Sequence, residues 1–412
     1  MDFESLSNKL KSLGVQVGAK SNLQPAKKAK PLQQVIRGRE IETIFGPVFS
    51  VRSVYHADHM QGDMGIRPSG SYDRISALVS GQVELPFQLS DLIFLDTETT
   101  GLSGGTGTMA FMVGVARFIG TDLVLEQFFL RHPAEEPALL AAFEEFIDGG
   151  KVIVSYNGKS FDVPILNTRF ILQRLNNSLT KMGHLDLLTL TRRTWKKRLG
   201  ACNLGNIEKE ILGLRRTKEE VPGYLVPELY ADYLRNGDPT PLIGVFYHNE
   251  QDVVSLAALF AYLADILEDP ESWLSVHAED LGSIGRMMEA MGDADLASKM
   301  YDRGLSQEAS RSRQEILERK AALLKRQKRH AEAASCWVEA ADLGSLQALI
   351  ELAMYHEHRL NDPSQALVYT ERAIEVSESA TGRTVRMIEH RRTRLTRKLT
   401  PKSDPGDSSQ SE

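Results

Sequence analysis

The sequence predicts a mixed α/β sheet flanked by helices, followed by an all-α domain. Three observations carry that expectation. An apolar run of strand length, Leu92–Leu95, opens a stretch of β-rich segments; helical and strand periods alternate from about residue 137; and strand signals cease beyond about residue 278. At 412 residues the chain is long enough for two ordinary domains, because a single core usually stops growing at about 250 to 300 residues. With 42% hydrophobic and 25% charged residues, its composition is globular and excludes a fibrous or largely disordered protein.

Residues 1–35 mix Ser, Lys, Gln, Pro and Ala without sustained apolar periodicity and are expected to form a disordered arm. In the extension of residues 36–90, two β-prone runs between Glu40 and Tyr55 flank Gly46-Pro47, which predicts a hairpin leaning on the next domain. That domain, residues 91–275, begins at the Leu92–Leu95 strand. Met109–Phe118 and Leu123–Leu130 are separated by Ile119-Gly120-Thr121-Asp122 and read as an antiparallel meander. Pro137–Ile147 has helical spacing, Val152–Tyr156 is strand-like, Val163–Leu175 is helical, and Leu185–Leu190 reads as a further strand. Helices are expected over Leu204–Leu212, Pro227–Arg235 and His248–Leu267.

Residues 278–398 carry a weak repeat. Ala297, Ala333 and Ala366, at intervals of 36 and 33, are each followed seven residues later by Gly304, Ala340 and Ala373, and Tyr301 and Trp337 stand four after the first two alanines. The pattern approximates the tetratricopeptide helix pair of about 34 residues, where small residues let helices pack closely. An ordinary helical bundle with alanines at its contacts would also produce it. Residues 399–412 are expected to be a disordered tail.

Cys202 and Cys336 lack any partner at disulfide-framework or zinc spacing, no apolar run is long enough to span a bilayer, and none resembles a signal peptide. These features predict a cytoplasmic protein without membrane attachment. The formal charge of −6 excludes a whole-surface grip on a polyanion and leaves that task to local basic patches.

Chemistry concentrates in three places. Asp96-Thr97-Glu98 ends the first strand, and alternation along a strand puts Asp96 and Glu98 on one face. Two carboxylates about 4 Å apart repel by roughly 4 kcal/mol at an effective dielectric of 20, so the pair asks for protons, donors or a cation. A solvent-exposed turn is the alternative. Asn157-Gly158-Lys159-Ser160-Phe161-Asp162 follows a strand and opens a helix, which puts Asp162 at a sheet edge; N-capping would also explain it. His248 and Asp252, four apart, share a helical face, as a surface ion pair would.

Together these motifs resemble the DEDD exonuclease superfamily, whose ribonuclease-H-like fold orders D-x-E, N-x3-F-D, and a His or Tyr before a last Asp. Here 66 residues separate Asp96 from Asp162 and 90 separate Asp162 from Asp252. The wording from Phe94 through Thr106-Gly107 and from His248-Asn249 to Asp252-Val253 looks like the bacterial YprB-like branch, whose members often carry tetratricopeptide-like repeats at the C-terminus. The resemblance implies two Mg²⁺ or Mn²⁺ ions held by Asp96, Glu98, Asp162 and Asp252, and hydrolysis at a nucleic-acid 3′ end. In the family the proton acceptor is a His five residues, or a Tyr four residues, before the last Asp. This chain instead has Tyr247 at minus five and His248 at minus four. His248 is the preferred acceptor, because imidazole titrates near neutrality and shares a face with Asp252.

The resemblance also implies that Thr99 and Gly101 touch a terminal nucleotide; Gly104, Gly105 and Gly107 would permit close backbone approach, or serve only as a flexible connection. Asn157 and Lys159 either orient Asp162, touch a phosphate, or make a turn. Arg192, Arg193 and Lys197, with Lys196, Arg198, Arg215, Arg216 and Lys218, form the densest positive charge and could guide a single-stranded nucleic acid toward the site, unless they are only a solvated face. Arg383–Lys398 is a second basic run, and Asp186 a further acid with an expected structural role. The expected activity is a 3′–5′ exonuclease, with the helical region available to a protein partner. A non-catalytic nucleic-acid-binding scaffold and an endonuclease are the rivals.

Overall fold

The computed structural model describes residues 30–81, 85–101, 106–216, 221–270, 277–307, 312–377 and 382–400. Most of the N-terminal arm and the tail from residue 401 therefore lie outside the described residues. The arm's last residues form a helical turn, α1 (Leu32–Val35), with Leu32 buried.

Strands β1 (Arg39–Thr43) and β2 (Gly46–Tyr55) form the expected hairpin. Its turn lies at Ile44-Phe45, not at Gly46-Pro47: Thr43 Oγ1 accepts from Phe45 N at 3.1 Å, and Pro47 already pairs with Glu42 inside the ladder. After the small ribbon β3 (Met60–Gln61) and β4 (Met64–Gly65) and the turn of helix α2 (Asp73–Ser76) comes the central strand β5 (Leu92–Thr99). Next follow β6 (Ala110–Ile119), β7 (Asp122–Phe129), α3 (Glu136–Ile147), β8 (Val152–Ser155), α4 (Asp162–Gln173) and β9 (Gly183–Asp186).

The main sheet runs β1-β2-β7-β6-β5-β8-β9. β5, β6 and β7 are antiparallel neighbours, and β8 and β9 lie parallel to β5, the mixed sheet that the resemblance implies. β2 pairs with β7 from Phe49↔Phe129 to Tyr55↔Leu123, so the hairpin continues the same sheet. β5 sits between two partners, and Leu92, Ile93, Phe94 and Leu95 are all fully buried. Alternation sends Leu92 and Phe94 into one core and Ile93 and Leu95 into the other.

The segment Leu185–Leu190 departs from expectation. β9 stops at Asp186, and α5 (Leu187–Leu199) begins at once, with the Asp186 carboxylate accepting from Leu188 N at 3.1 Å as its N-cap. A short leucine run has no period that tells strand from helix, and the cap decides. Helices α6 (Leu204–Glu210), α7 (Val226–Asn236) and α8 (Leu242–Glu268) complete this region. With 27 residues α8 spans about 40 Å, and its second half, from Val253 to Leu267, is almost wholly buried against the sheet.

Beyond it the described residues are all helical: α9 (Ala278–Ala290), α10 (Ala294–Leu305), α11 (Arg313–Arg326), α12 (His330–Asp342), α13 (Leu346–His358), α14 (Pro363–Glu375) and α15 (Gly382–Leu399). Consecutive helices pack on one another. The small residues of the repeat, Ala297, Ala333, Ala340, Ala366 and Ala373, are all buried. Their role is steric: at Gly285 on α9, a Cβ would stand 2.6 Å from the Tyr301 ring of α10. This domain does not hang on a tether. One core cluster runs from the sheet through Trp195 and Leu263 into Leu281, Met288, Tyr301 and Ile316, and Arg198 on α5 bonds the buried Asp280 on α9 at 2.8 Å. Among the described residues, no helix is long and apolar enough to cross a membrane.

The basic run Arg383–Lys398 is partly internal. Buried Glu357 on α13 accepts from Arg391 (2.9 Å), Arg394 (2.6 Å) and Lys398 (3.1 Å) and so pins α15 to the array. Burial raises the Glu357 carboxyl, but Lys398, Arg394 and His358 outweigh it and hold it below its ordinary value. Glu357→Gln leaves three cations around a neutral amide and is expected to destabilise the helical domain by about 3 kcal/mol, the low end for breaking a buried pair because the cations are partly exposed. Urea denaturation followed by circular dichroism checks this; an unchanged midpoint would show that packing alone holds α15.

Candidate active site

Strand parity builds the first half of the site. Asp96 and Glu98 continue the row of Leu92 and Phe94 toward α8, whereas Thr97 continues the row of Ile93 and Leu95 toward α4. The ladder slips between Glu98 and Thr99, an irregularity of the kind that re-aims side chains beside active sites. α8 crosses this end of the sheet with Asn249 fully buried. Asn249 Nδ2 donates to Asp96 Oδ2 at 2.9 Å, and Gln127 Nε2 of β7 donates to Asn249 Oδ1 at 2.9 Å. The approach is possible because Gly114 lies opposite Asp96 on β6: a Cβ there would stand 2.1 Å from Asn249 Oδ1.

Asp162 enters from the other face, at the head of α4. It is not an N-cap: Phe161 holds that position without a side-chain bond. The Asp162 carboxylate instead reaches β5, accepting from Thr97 N at 3.0 Å and Thr97 Oγ1 at 2.5 Å. Gly158 lets the loop pass close, since a Cβ would come within 2.9 Å of Asp162 Oδ2.

From α8, His248 Nε2 lies 3.5 Å from Asp252 Oδ2 and 4.0 Å from Glu98 Oε1. Tyr247 sits elsewhere, beside Tyr55, whose hydroxyl donates to Glu250 at 2.8 Å and is raised by burial, then by Glu250 and least by Tyr247. Of the two candidate acceptors, His248 is therefore the one that faces the carboxylates. Arg216 was expected among phosphate guides, yet it is largely covered and engaged by acids. It donates to both oxygens of buried Glu208 at 2.6 Å, to Asp252 Oδ1, and to His248 Nδ1 at 3.0 Å. Glu208 is held in turn by Ser255 Oγ at 2.6 Å, itself bonded by Gln61. A guanidinium can only donate, so His248 Nδ1 accepts and the neutral ring carries its proton on Nε2, toward Glu98 and Asp252. A doublet of arginines in a loop gave no sign of this burial; Asn249 and Gln127 were missed too, although a glutamine inside an apolar strand was a usable signal.

The other expected residues are distributed more widely. Thr99 Oγ1 bonds Gly101 O at 2.8 Å and shapes the chain after Glu98; Gly107 has open space around it; Gly104, Gly105 and Lys218 lie outside the described residues. Asn157 makes the turn, with φ +67°, and its N–H and that of Lys159 go to Asp186 at 2.8 and 3.2 Å. Asp186 thus has the structural role expected of it. The Lys159 amine rests on Ser80 Oγ at 3.1 Å. Arg192, Arg193 and Lys197 lie on the exposed face of α5.

Burial, then the charges of Asp252, Asp162 and Glu98, push the Asp96 carboxyl well above the carboxylate range. Glu98 is raised likewise by burial, Asp252 and Asp162, with Arg216 opposing. Asp162 is pushed up to about 6 by burial, against the pull of the Thr97 bonds. Such a set of hard oxygen donors, repelling one another, suits Mg²⁺ or Mn²⁺. Among the described residues no three such side chains converge tightly enough to grip an ion as they stand, since Thr97 holds Asp162 and Arg216 holds Asp252.

This sheet carries Asp96 and Glu98 at the carboxyl end of β5 and Asp162 at the head of the helix after β8, with α8 closing over them, an arrangement of the ribonuclease-H-like class. A family model described as RNase_H superfamily matches residues 93–264, and that part of the chain is a domain of the ribonuclease H superfamily. Over 318 residues it is also 34% identical to "Uncharacterized protein YprB" of Bacillus subtilis (strain 168), covering 76% of each chain.

Raised folded-state values mean that protonation favours the fold. That contribution is complete below the unfolded carboxylate range near 4 and is lost as pH rises through the folded values, about 6 for Asp162. With divalent ions chelated, the melting temperature should climb as pH falls from about 7.5 to about 5.5. Asp162→Asn should raise the melting temperature at the higher pH and flatten part of the climb; buried Asp280, also pushed up to about 6, retains its share. A flat wild-type profile would contradict this. Gly114→Ala should destabilise by about 1–3 kcal/mol through collision with Asn249, although alanine suits a strand better than glycine. Thermal denaturation reads the sign directly.

Proposed function

We propose that the protein is a metal-dependent 3′–5′ exonuclease acting on single-stranded DNA or RNA ends. The observation that carries this is the proximity of Asp96, Glu98, Asp162 and Asp252 at one end of the sheet, near enough for their charges to act on one another, beside a His248 that faces Glu98 and Asp252. Two Mg²⁺ or Mn²⁺ ions held by those four carboxylates would supply water activation and neutralise charge on the phosphate. The protein's own part is positional. Asn249 orients Asp96, Thr97 orients Asp162, and Arg216 balances Asp252 until substrate and cations compete for it. His248 accepts the proton of the attacking water at Nε2. That requires the ring proton to sit on Nδ1, so the Arg216 bond to Nδ1 has to be released first. We assign the C-terminal helices to a tetratricopeptide-like array, on the buried small residues at its helix contacts, and suggest that its outer surface recruits a protein partner.

Labelled single-stranded DNA and RNA incubated with the protein and Mn²⁺ should lose mononucleotides from the 3′ end. Asp96→Asn should lower the rate at least about 100-fold and His248→Ala about 10²- to 10⁴-fold. Equal cleavage by wild type and Asp96→Asn would remove this site from the explanation. A covalently closed single-stranded circle should survive; its cleavage would make the enzyme an endonuclease.

A further inference from the structure

The basic residues of α5 do not stand on a lone solvated face. Arg192, Arg193, Lys196 and Lys197 form one wall of a groove of about 540 Å³, and Arg286 of α9, in the helical domain, stands in the wall opposite. Leu78, Met287 and Met291 supply apolar surface between them. Five cations line this groove and no described carboxylate does. Glu315, outside the lining, binds Lys197 and bonds Arg286 at 3.0 Å, so it ties the two walls together across the domain junction. Arg192 and Arg193 have no carboxylate partner among the described residues and remain available to an anion.

The groove begins near the carboxylates. Lys159, three residues before Asp162, rests its amine on Ser80, and Ser80 is two residues from Leu78, a reach of at most about 7 Å of chain. Arg192 also lies close to Tyr156, which precedes the Asn157 turn: burial raises that hydroxyl, and Arg192 is among the groups opposing the rise. Beside the groove the charge reverses, because Asp73, Asp293 and Asp295, against Arg74 alone, line the adjoining depression that shares Met291. The positive stretch is therefore bounded on that side, and Leu78 links it through Ser80 to Lys159 beside the proposed site.

Resting on the nuclease reading for where the strand ends, we propose that this groove binds the phosphate backbone of a single-stranded nucleic acid and that α9 is its second wall. Phosphates are held by cations free to exchange their counterions, which Arg192 and Arg193 supply. The volume suits a short single-stranded segment and is in the range that takes one drug-sized molecule, far below a duplex. Guanidinium planes and the polarizable methionines accept any base face, so binding is tolerant of sequence. The helical domain is then part of the substrate path as well as a surface for partners.

The full chain carrying Asp96→Asn, free of divalent ions, is titrated with a 5′-fluorescein-labelled 15-nucleotide single strand, and affinity is read by anisotropy at several KCl concentrations. Adding Arg192→Ala with Arg193→Ala should weaken binding roughly tenfold at low salt and reduce the slope of log affinity against log salt by about 1.4, two contacts' worth. Ala290→Glu, an exposed position at the end of α9, should weaken binding from the opposite wall while circular dichroism shows an unchanged fold. Unchanged affinity in both variants overturns the proposal, as does a loss of affinity without a change of slope. A poly-glutamate peptide that displaces the oligonucleotide as well as unlabelled strand does would overturn the choice of nucleic acid in favour of an acidic protein. Hydrolysis by the wild type with Mn²⁺ is scored separately, so an inactive enzyme that still binds through the groove would sink the nuclease reading alone.

Discussion

Mutual repulsion among four carboxylates, crowded where water is scarce, is the constraint around which this protein is arranged. Three of the four are restrained, each by a different device. Asp96 is held by an amide, Asp162 by a neighbouring backbone N–H and hydroxyl, and Asp252 by a guanidinium. Those restraints need supports of their own. Gln127 on β7 fixes Asn249, Gly114 on β6 clears its path, and Ser255 and Gln61 secure the Glu208 that holds Arg216. Polar residues that look misplaced inside apolar strands and helices thus belong to one hydrogen-bonded scaffold, and an acid-rich site stored against its own charge is the usual trade of stability for function.

Much of the fold could be read from periodicity. The β5–β6–β7 meander, the helix before β8 and the long α8 all have apolar positions whose spacing admits one interpretation, and the small residues 33 and 36 apart fall on buried helix contacts as their size requires. Asp96 and Glu98 were legible because alternation along a strand is geometry, not preference. Thr97 was legible in principle by the same rule, as the residue of opposite parity that meets α4. Leu187–Leu190 was not, since four residues carry no period and the deciding bond comes from the Asp186 side chain.

Arg216 was illegible for a different reason. Nothing local distinguishes it from Arg215 or from the basic residues of α5; what covers it is Glu208 together with Asp252 and His248 of α8, and only tertiary folding brings α8 beside it. The same holds for Arg391, Arg394 and Lys398, a basic run by sequence but an ion cluster around Glu357 in space. Charge along a chain counts cations without showing which are already spent, and here the engaged and the available cations lie within one short stretch of sequence.

The uninterrupted core between the sheet and α9–α11 bears on how such a chain can change over evolutionary time. Trp195 stacks on Tyr262 at 6.0 Å, and Leu281, Met287 and Met288 fill the space beside them, so neither half has a finished surface of its own. A recombination event that exchanged the helical half for another set of helices would leave this seam mismatched. The two halves are therefore expected to be inherited, lost and altered together, as a single unit of descent.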